Sequence, residues 1–372
     1  MMSAQLSSLL GLPLELRFQI YEICFDTKSH RPQYSSEIAS VCRQTRMEAF
    51  PLLFQLSRNF DSIESFVDWT SNGYPHLLLH VKDIFCHWTI HSPLLPVAKT
   101  SGMVMQDHSS ASPNESELLE RALPSYQNLR RLGLILDLVD QTSKIGPSLN
   151  DHRYEDQETL LRMISKSCPK IEFISLVTDL MRVEPLQWFR NLVELTWSGY
   201  SLSTPQETLS ILNSLPRLNS IAIQRWPIYY DSDTYSVPTG QLYKYYSFTS
   251  DVLQGLRPLK SLCISHPTSD VPSHSLTTAT LRALSSHRQT LVYLKLVSDH
   301  LVEGPLLEEI RKVISTFNLE RVWLYLSSVP KEYTDPKGWA FKSRIAPSVK
   351  HCKIHLRYVD GDQEVDLRHE FS

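Results

Sequence analysis

One short pattern recurs along this 372-residue chain and limits what it can fold into. It is an apolar residue, two of any kind, an apolar residue, one of any kind, and a further apolar residue. It runs through "VKDIFC", "LRRLGL", "IEFISL", "LVELTW", "LNSIAI", "LKSLCI", "LVYLKL", "LERVWL" and "VKHCKI". The last two apolar positions are two apart, so on a strand they share one face. The first lies where the strand begins and can tuck under the preceding turn. Between these runs, "ESELLERAL", "QETLLRMISKSC", "PQETLSILNSL", "LTTATLRALSS" and "LLEEIRKVISTF" carry apolar residues near helical spacing. Helix then strand, repeated, predicts a parallel sheet with helices outside it. No single unit buries its apolar face alone, so the units must stack.

The spacing between successive starts varies from 21 residues (Ile171 to Leu192) to 48 (Val81 to Leu129). Polar and turn-forming insertions near 92–116, 139–156 and 227–251 account for the long intervals. The third insertion holds Tyr229, Tyr230, Tyr235, Tyr243, Tyr245 and Tyr246. Tyrosine offers large contact area at low ordering cost, which makes these rings candidates for target binding, with gap-filling over the sheet as the plainer role. At the C-terminus, alternation on both sides of Asp360-Gly361 predicts a hairpin over 360–372 that caps the last unit.

The N-terminal sixty residues read differently. In "LPLELRFQIYEICF", Leu12, Leu16, Ile20 and Ile23 form an apolar stripe on a helix, Pro13 suits its first turn, and Arg17 and Glu22 fall off the stripe toward solvent. "EIASVCRQTRMEAF" predicts a second helix capped by Ser35 or Ser36. Its inner stripe is Ile38, Val41, Cys42, Thr45 and Ala49, Arg43 and Arg46 point elsewhere, and Pro51 ends it.

Two resemblances follow. The stretch 8–56, with Leu12-Pro13, Glu15-Leu16, Ile20 and then Val41-Cys42-Arg43, resembles the F-box in the divergent form common in fungal proteins. The repeat over 57–359 resembles a leucine-rich repeat of irregular type, a degenerate solenoid with insertions, a compact open α/β domain being the alternative. The fold expected is thus α/β: a small helical module followed by an irregular leucine-rich-repeat-like solenoid of parallel strands and outer helices. The F-box resemblance implies a non-catalytic substrate receptor of an SCF-type ubiquitin ligase. Leu12, Pro13, Leu16, Ile20, Val41, Cys42 and Arg43 would dock on the Skp-type adaptor, and the repeats would hold an unknown target protein. The alternative is an interaction scaffold whose helices pack on their own chain and bind no adaptor. The missing aromatic residue after Val41-Cys42-Arg43 favours it.

Composition bears on other classes. The net charge of −3 supplies no basic excess for phosphate backbones, so no nucleic-acid partner is expected. Six scattered cysteines without a C-x-x-C pair suit reduced thiols. No apolar run reaches the ~18 residues of a membrane span and no secretory leader is recognisable, so a cytoplasmic or nuclear place is expected, with no membrane partner. No nucleophile elbow, Walker loop or dinucleotide fingerprint occurs, and only 11 glycines are available for phosphate-cradling loops. His76, His80 and His87 lie close in sequence but lack the glutamate of a zinc-protease helix, and no metal or other cofactor is expected.

Overall fold

The computed structural model describes residues 9–25, 42–90, 115–138, 150–178, 181–224, 246–266, 276–298, 304–326, 349–360 and 363–371, together with Val302 and Val329. Ten strands lie side by side in chain order and all parallel: β1 (Arg58–Phe60), β2 (Asp83–Ile90), β3 (Arg131–Leu138), β4 (Phe173–Thr178), β5 (Glu194–Trp197), β6 (Ser220–Gln224), β7 (Ser261–His266), β8 (Tyr293–Ser298), β9 (Arg321–Leu326) and β10 (His351–Asp360). An eleventh, β11 (Gln363–Phe371), turns back antiparallel on β10, pairing Asp360 with Gln363, and covers its free edge. The hairpin expected at Asp360-Gly361 thus forms, and its first arm is the last parallel strand.

Nine of the ten parallel strands, β2 to β10, are the nine sequence repeats. Each crossover advances the sheet by one strand, the solenoid-like form of an α/β fold. Same-handed crossovers in unbroken order put the helices on one face. The paired apolar positions of each repeat point to that face: Ile84 and Cys86, Leu132 and Leu134, Leu294 and Leu296 are all at most 3% exposed. The first apolar position of each repeat, from Val81 to Leu319, is also buried. Full burial of one such side chain stabilises by roughly 1.5–3 kcal/mol, which is why stacking is obligatory.

The strand starts are stitched by the backbone. Two consecutive amides of each unit donate to one carbonyl of the unit before it. Arg130 and Arg131 donate to Lys82 O at 2.9 Å, and Lys350 and His351 donate to Glu320 O at 2.8 and 3.0 Å. A polar ladder runs outside this stitch, with Asn128 Nδ2 donating to Leu79 O at 2.9 Å and Lys170 Nζ to Asn128 Oδ1 at 2.7 Å.

The helices are α1 (Leu14–Phe25), α2 (Arg43–Leu53), α3 (Ile63–Asn72), α4 (Pro75–Leu78), α5 (Glu115–Ala122), α6 (Asn150–Ser167), α7 (Pro205–Ser214), α8 (Ser250–Gly255), α9 (Thr278–Ala283) and α10 (Gly304–Thr316). α7 starts cleanly because Thr204 accepts from Glu207 N–H while the Glu207 carboxylate accepts from Thr204 N–H at 2.7 Å. Between β4 and β5, where the repeat interval is shortest, a single 3₁₀ turn (Glu184–Trp188) replaces the helix. At the N-terminal end, Phe60, Phe66, Trp69, Trp88 and Tyr126 stack into an aromatic plug, with Phe66 and Tyr126 rings 5.1 Å apart.

Two expectations for the N-terminal helices need correction. Arg17 is not in solvent: it is only 9% exposed and paired with Glu48. Pro51 does not end the second helix, which runs on to Leu53. A proline in the last turn forfeits one hydrogen bond with little chain left to break. That helix starts at Arg43, because Cys42 is extended (φ −156°, ψ 169°) and forms its N-cap. The proposed caps Ser35 and Ser36, with Ile38 and Val41, lie outside the described residues.

Candidate functional site

Two surfaces stand out: the outer face of the N-terminal helix pair and the sheet face opposite the helices. α1 and α2 pack through Tyr21, Ala49 and Leu53, with Phe18, Cys24 and Phe50 around them. A polar tie crosses the same seam. Arg17 donates to both Glu48 oxygens, from Nε at 2.9 Å and Nη2 at 2.8 Å, and its Nη1 reaches the carbonyls of Leu10 and Leu12. Tyr21 OH donates to Glu48 Oε2 at 3.1 Å. The paired guanidinium holds the Glu48 carboxyl below its ordinary range, and burial pushes the Tyr21 phenol up to about 12.

The pair is joined to the sheet through Phe54, which stacks on Trp69 with centroids 5.5 Å apart. Arg58 lies over both rings and donates from Nη2 to Leu53 O at 2.8 Å, a cation at the C-terminus of α2. Burial lowers the pKa of that guanidinium.

With Arg17, Phe18, Tyr21 and Cys24 turned to α2, the stripe read from the sequence is turned outward. Leu16 is 45% and Ile23 73% exposed, and Leu14 and Met47 add 42% and 69%. Pro13 is exposed, and Leu12 and Ile20 are half-buried. Arg43 is exposed, whereas Cys42 acts locally: its Sγ accepts from Thr45 N–H at 3.4 Å, and the contact with the Thr45 side chain leads the lowering of its thiol pKa. Val41 lies outside the described residues.

The second surface is built from the residues that alternate with the buried pairs. Strand register sets them in rows. One row runs Asp83, Arg131, Phe173, Glu194, Ser220, Ser261, Tyr293, Arg321 and His351. The next runs Phe85, Gly133, Ser175, Thr196, Ala222, Cys263, Lys295, Trp323 and Lys353. Small residues from β3 to β7 leave an open trough of about 520 Å³ between Phe85 on one side and Tyr293 and Lys295 on the other. Gly133 is required at its wall, since a Cβ there would lie 2.2 Å from the Phe85 ring.

Arg131 pairs with Asp83 at 3.4 Å and lies over the Phe173 ring at 4.5 Å. Burial raises the carboxyl pKa values of Asp83 and Glu194, with Arg131 opposing both, and raises the Cys263 thiol. At the far end Lys295 and Lys353 approach the Trp323 ring at 5.7 and 5.9 Å, and Tyr293 meets it edge-on at 5.8 Å. Asp83 and Glu194 are the trough's carboxylates, three strand spacings or ~14 Å apart, beyond the roughly 5–9.5 Å at which paired carboxylates share glycosidic chemistry. The arrangement is equipped to bind.

Of the six tyrosines in the third insertion, only Tyr246 is among the described residues. It bridges to Tyr200, with rings 5.3 Å apart. The contact depends on Gly199 (φ 82°), whose carbonyl accepts from Ser247 and Phe248 N–H and folds this segment onto the end of β5. Tyr229, Tyr230, Tyr235, Tyr243 and Tyr245 lie outside the described residues. Among the described residues no group of three His, Cys, Asp or Glu is placed to hold a metal ion, and no helix is long and apolar enough to cross a membrane. No protein-family model matches the chain, and a search of curated proteins found no match.

Proposed function

We propose that the chain is a non-catalytic substrate receptor. Its N-terminal helices dock on the Skp-type adaptor of an SCF ubiquitin ligase, and its irregular leucine-rich-repeat-like sheet holds a target protein. One observation carries the reading: α1 is anchored to its own chain by the Arg17–Glu48 pair while Leu16 and Ile23 stay exposed along its other side. An apolar helix face with anchors one and two turns apart is what helix-in-groove recognition uses. Covering such side chains contributes roughly 1.5–3 kcal/mol each before association costs.

The scaffold reading, without an adaptor, draws on a different observation. Leu12 and Ile20 are half-covered, and Phe54 and Trp69 tie the helix pair to the sheet core. Co-purification with a Skp-type adaptor separates the two. Leu16→Asp combined with Ile23→Asp should abolish adaptor capture and leave the melting of the sheet unchanged. If wild-type chain captures no adaptor, or the double variant captures it fully, the receptor reading fails and the scaffold stands.

A further inference from the structure

The trough is asymmetric in charge. On its β2–β5 side Asp83 and Arg131 neutralise one another, and Arg131 is further engaged with Phe173. Glu194 is left with only the longer-range attraction of Arg131 against its burial. It is half-buried, and it makes no hydrogen bond or salt bridge to another described residue. A half-buried carboxylate in that position is costly until a cation or donor reaches it.

On β8 and β9 the same rows carry Lys295 and Arg321 around Tyr293 and Trp323, with no acid among the outward residues from β6 to β9. Lys353 on β10, one strand farther out, also approaches Trp323. Between the two ends the floor is Ser220, Ala222, Ser261 and Cys263. Its hydroxyls can donate to or accept from a peptide backbone, and its short side chains let that backbone approach closely.

We propose that this trough takes an extended peptide segment of the target protein, running across the strands. A Lys or Arg side chain sits on Glu194, and an Asp or Glu sits between Lys295 and Arg321. Three strand spacings separate β5 from β8, ~14 Å, and an extended chain advances ~3.3 Å per residue. The two charged peptide residues are therefore about four positions apart. That the segment belongs to a ubiquitination target rests on the receptor reading; the charge pattern does not.

A randomised peptide-display library selected on the purified full chain tests this. Enriched sequences should carry a basic and an acidic residue three to five positions apart. A synthetic peptide from that pool, followed by fluorescence anisotropy, should bind Glu194→Gln about tenfold more weakly, the size of one charge-assisted hydrogen bond. Lys295→Gln with Arg321→Gln should weaken it similarly, Glu194→Asp should retain most of the affinity, and raised salt should weaken the wild type. Far-UV circular dichroism of Glu194→Gln should match wild type, and its melting should be no lower, since a costly buried charge is removed. No enrichment, enrichment without the charge pair, or undiminished binding by a folded Glu194→Gln would each overturn the proposal. Charge-paired selection without adaptor capture would leave the trough assignment standing and refute the receptor reading, and the opposite pair of results would do the reverse.

Discussion

His287 offers the sharpest test of how the sheet is held together. It sits in the 3₁₀ turn Leu284–His287 before β8 and is fully buried. Its Nδ1 accepts from Leu259 N–H at 3.1 Å, and its Nε2 lies 2.8 Å from Leu253 O. Since Nδ1 is an acceptor, the proton is on Nε2 and the ring is neutral. One imidazole thus ties the interior of α8 and the start of β7 to the following unit. Truncation to alanine strands two buried backbone groups, each costing ~1–3 kcal/mol, and leaves a cavity besides, so a loss of about 3–5 kcal/mol is expected.

The same geometry fixes the response to acid. Burial lowers the pKa of His287 below its ordinary 6.5, the Leu253 carbonyl only partly opposing this. The unfolded chain therefore takes up a proton first as pH falls through 6.5. The stability contributed is fully present above that pH and is lost below it, with a slope of at most about 1.4 kcal/mol per pH unit for one proton. Urea unfolding of wild type and His287→Gln at pH 7.5 and 5.5 isolates this group from the other titrating residues. The variant should be less stable at pH 7.5, and the gap should narrow at pH 5.5. A gap that stays constant or widens would refute the neutral, doubly bonded assignment.

Glu48→Gln removes the charge that holds Arg17, so α1 should become more sensitive to limited proteolysis and adaptor capture should weaken, while the melting of the sheet stays put. Because Arg17 holds the Glu48 carboxyl below its ordinary range, this tie is present at neutral pH and lost on strong acidification, so wild type should gain the variant's protease sensitivity only well into the acid range. Tyr126→Phe deletes the hydroxyl 2.6 Å from Thr70 Oγ1, whose own proton goes to Phe66 O at 2.7 Å. A loss of about 1–2 kcal/mol by urea unfolding is expected, and an unchanged midpoint would show the bond to be dispensable.

The strands were legible because a period of two is unambiguous once three apolar positions recur in register. The binding face was written in the same triplets. In "LVELTW" the residues on either side of the middle apolar position, Glu194 and Thr196, line the trough, and in "LVYLKL" they are Tyr293 and Lys295. What hid it was the irregular interval between repeats, which conceals strand pairing until the sheet is aligned. β1 carried no such signal: Arg58-Asn59-Phe60 is three residues, and its extended form comes from pairing with β2. Nothing local in sequence around His287 announces that its partners are Leu253 and Leu259.

The burial of Arg17 was hidden for a different reason. α1 has apolar residues on more than one side, so periodicity alone names no inner face. Leu12, Leu16, Ile20 and Ile23 make one stripe, while Phe18, Tyr21 and Cys24 make another. The choice between them is made by a charge. Only the second orientation lets Arg17 meet Glu48, Tyr21 and the Leu10 and Leu12 carbonyls together. A partly buried guanidinium needs those partners, because an unpaired one would cost more than one aliphatic side chain returns. The residue that looked as if it belonged in water is therefore the one that turns Leu16 and Ile23 outward. The apolar surface on α1 is a consequence of the Arg17–Glu48 tie, and releasing the tie at Glu48 should cost adaptor capture without touching a single residue of that surface.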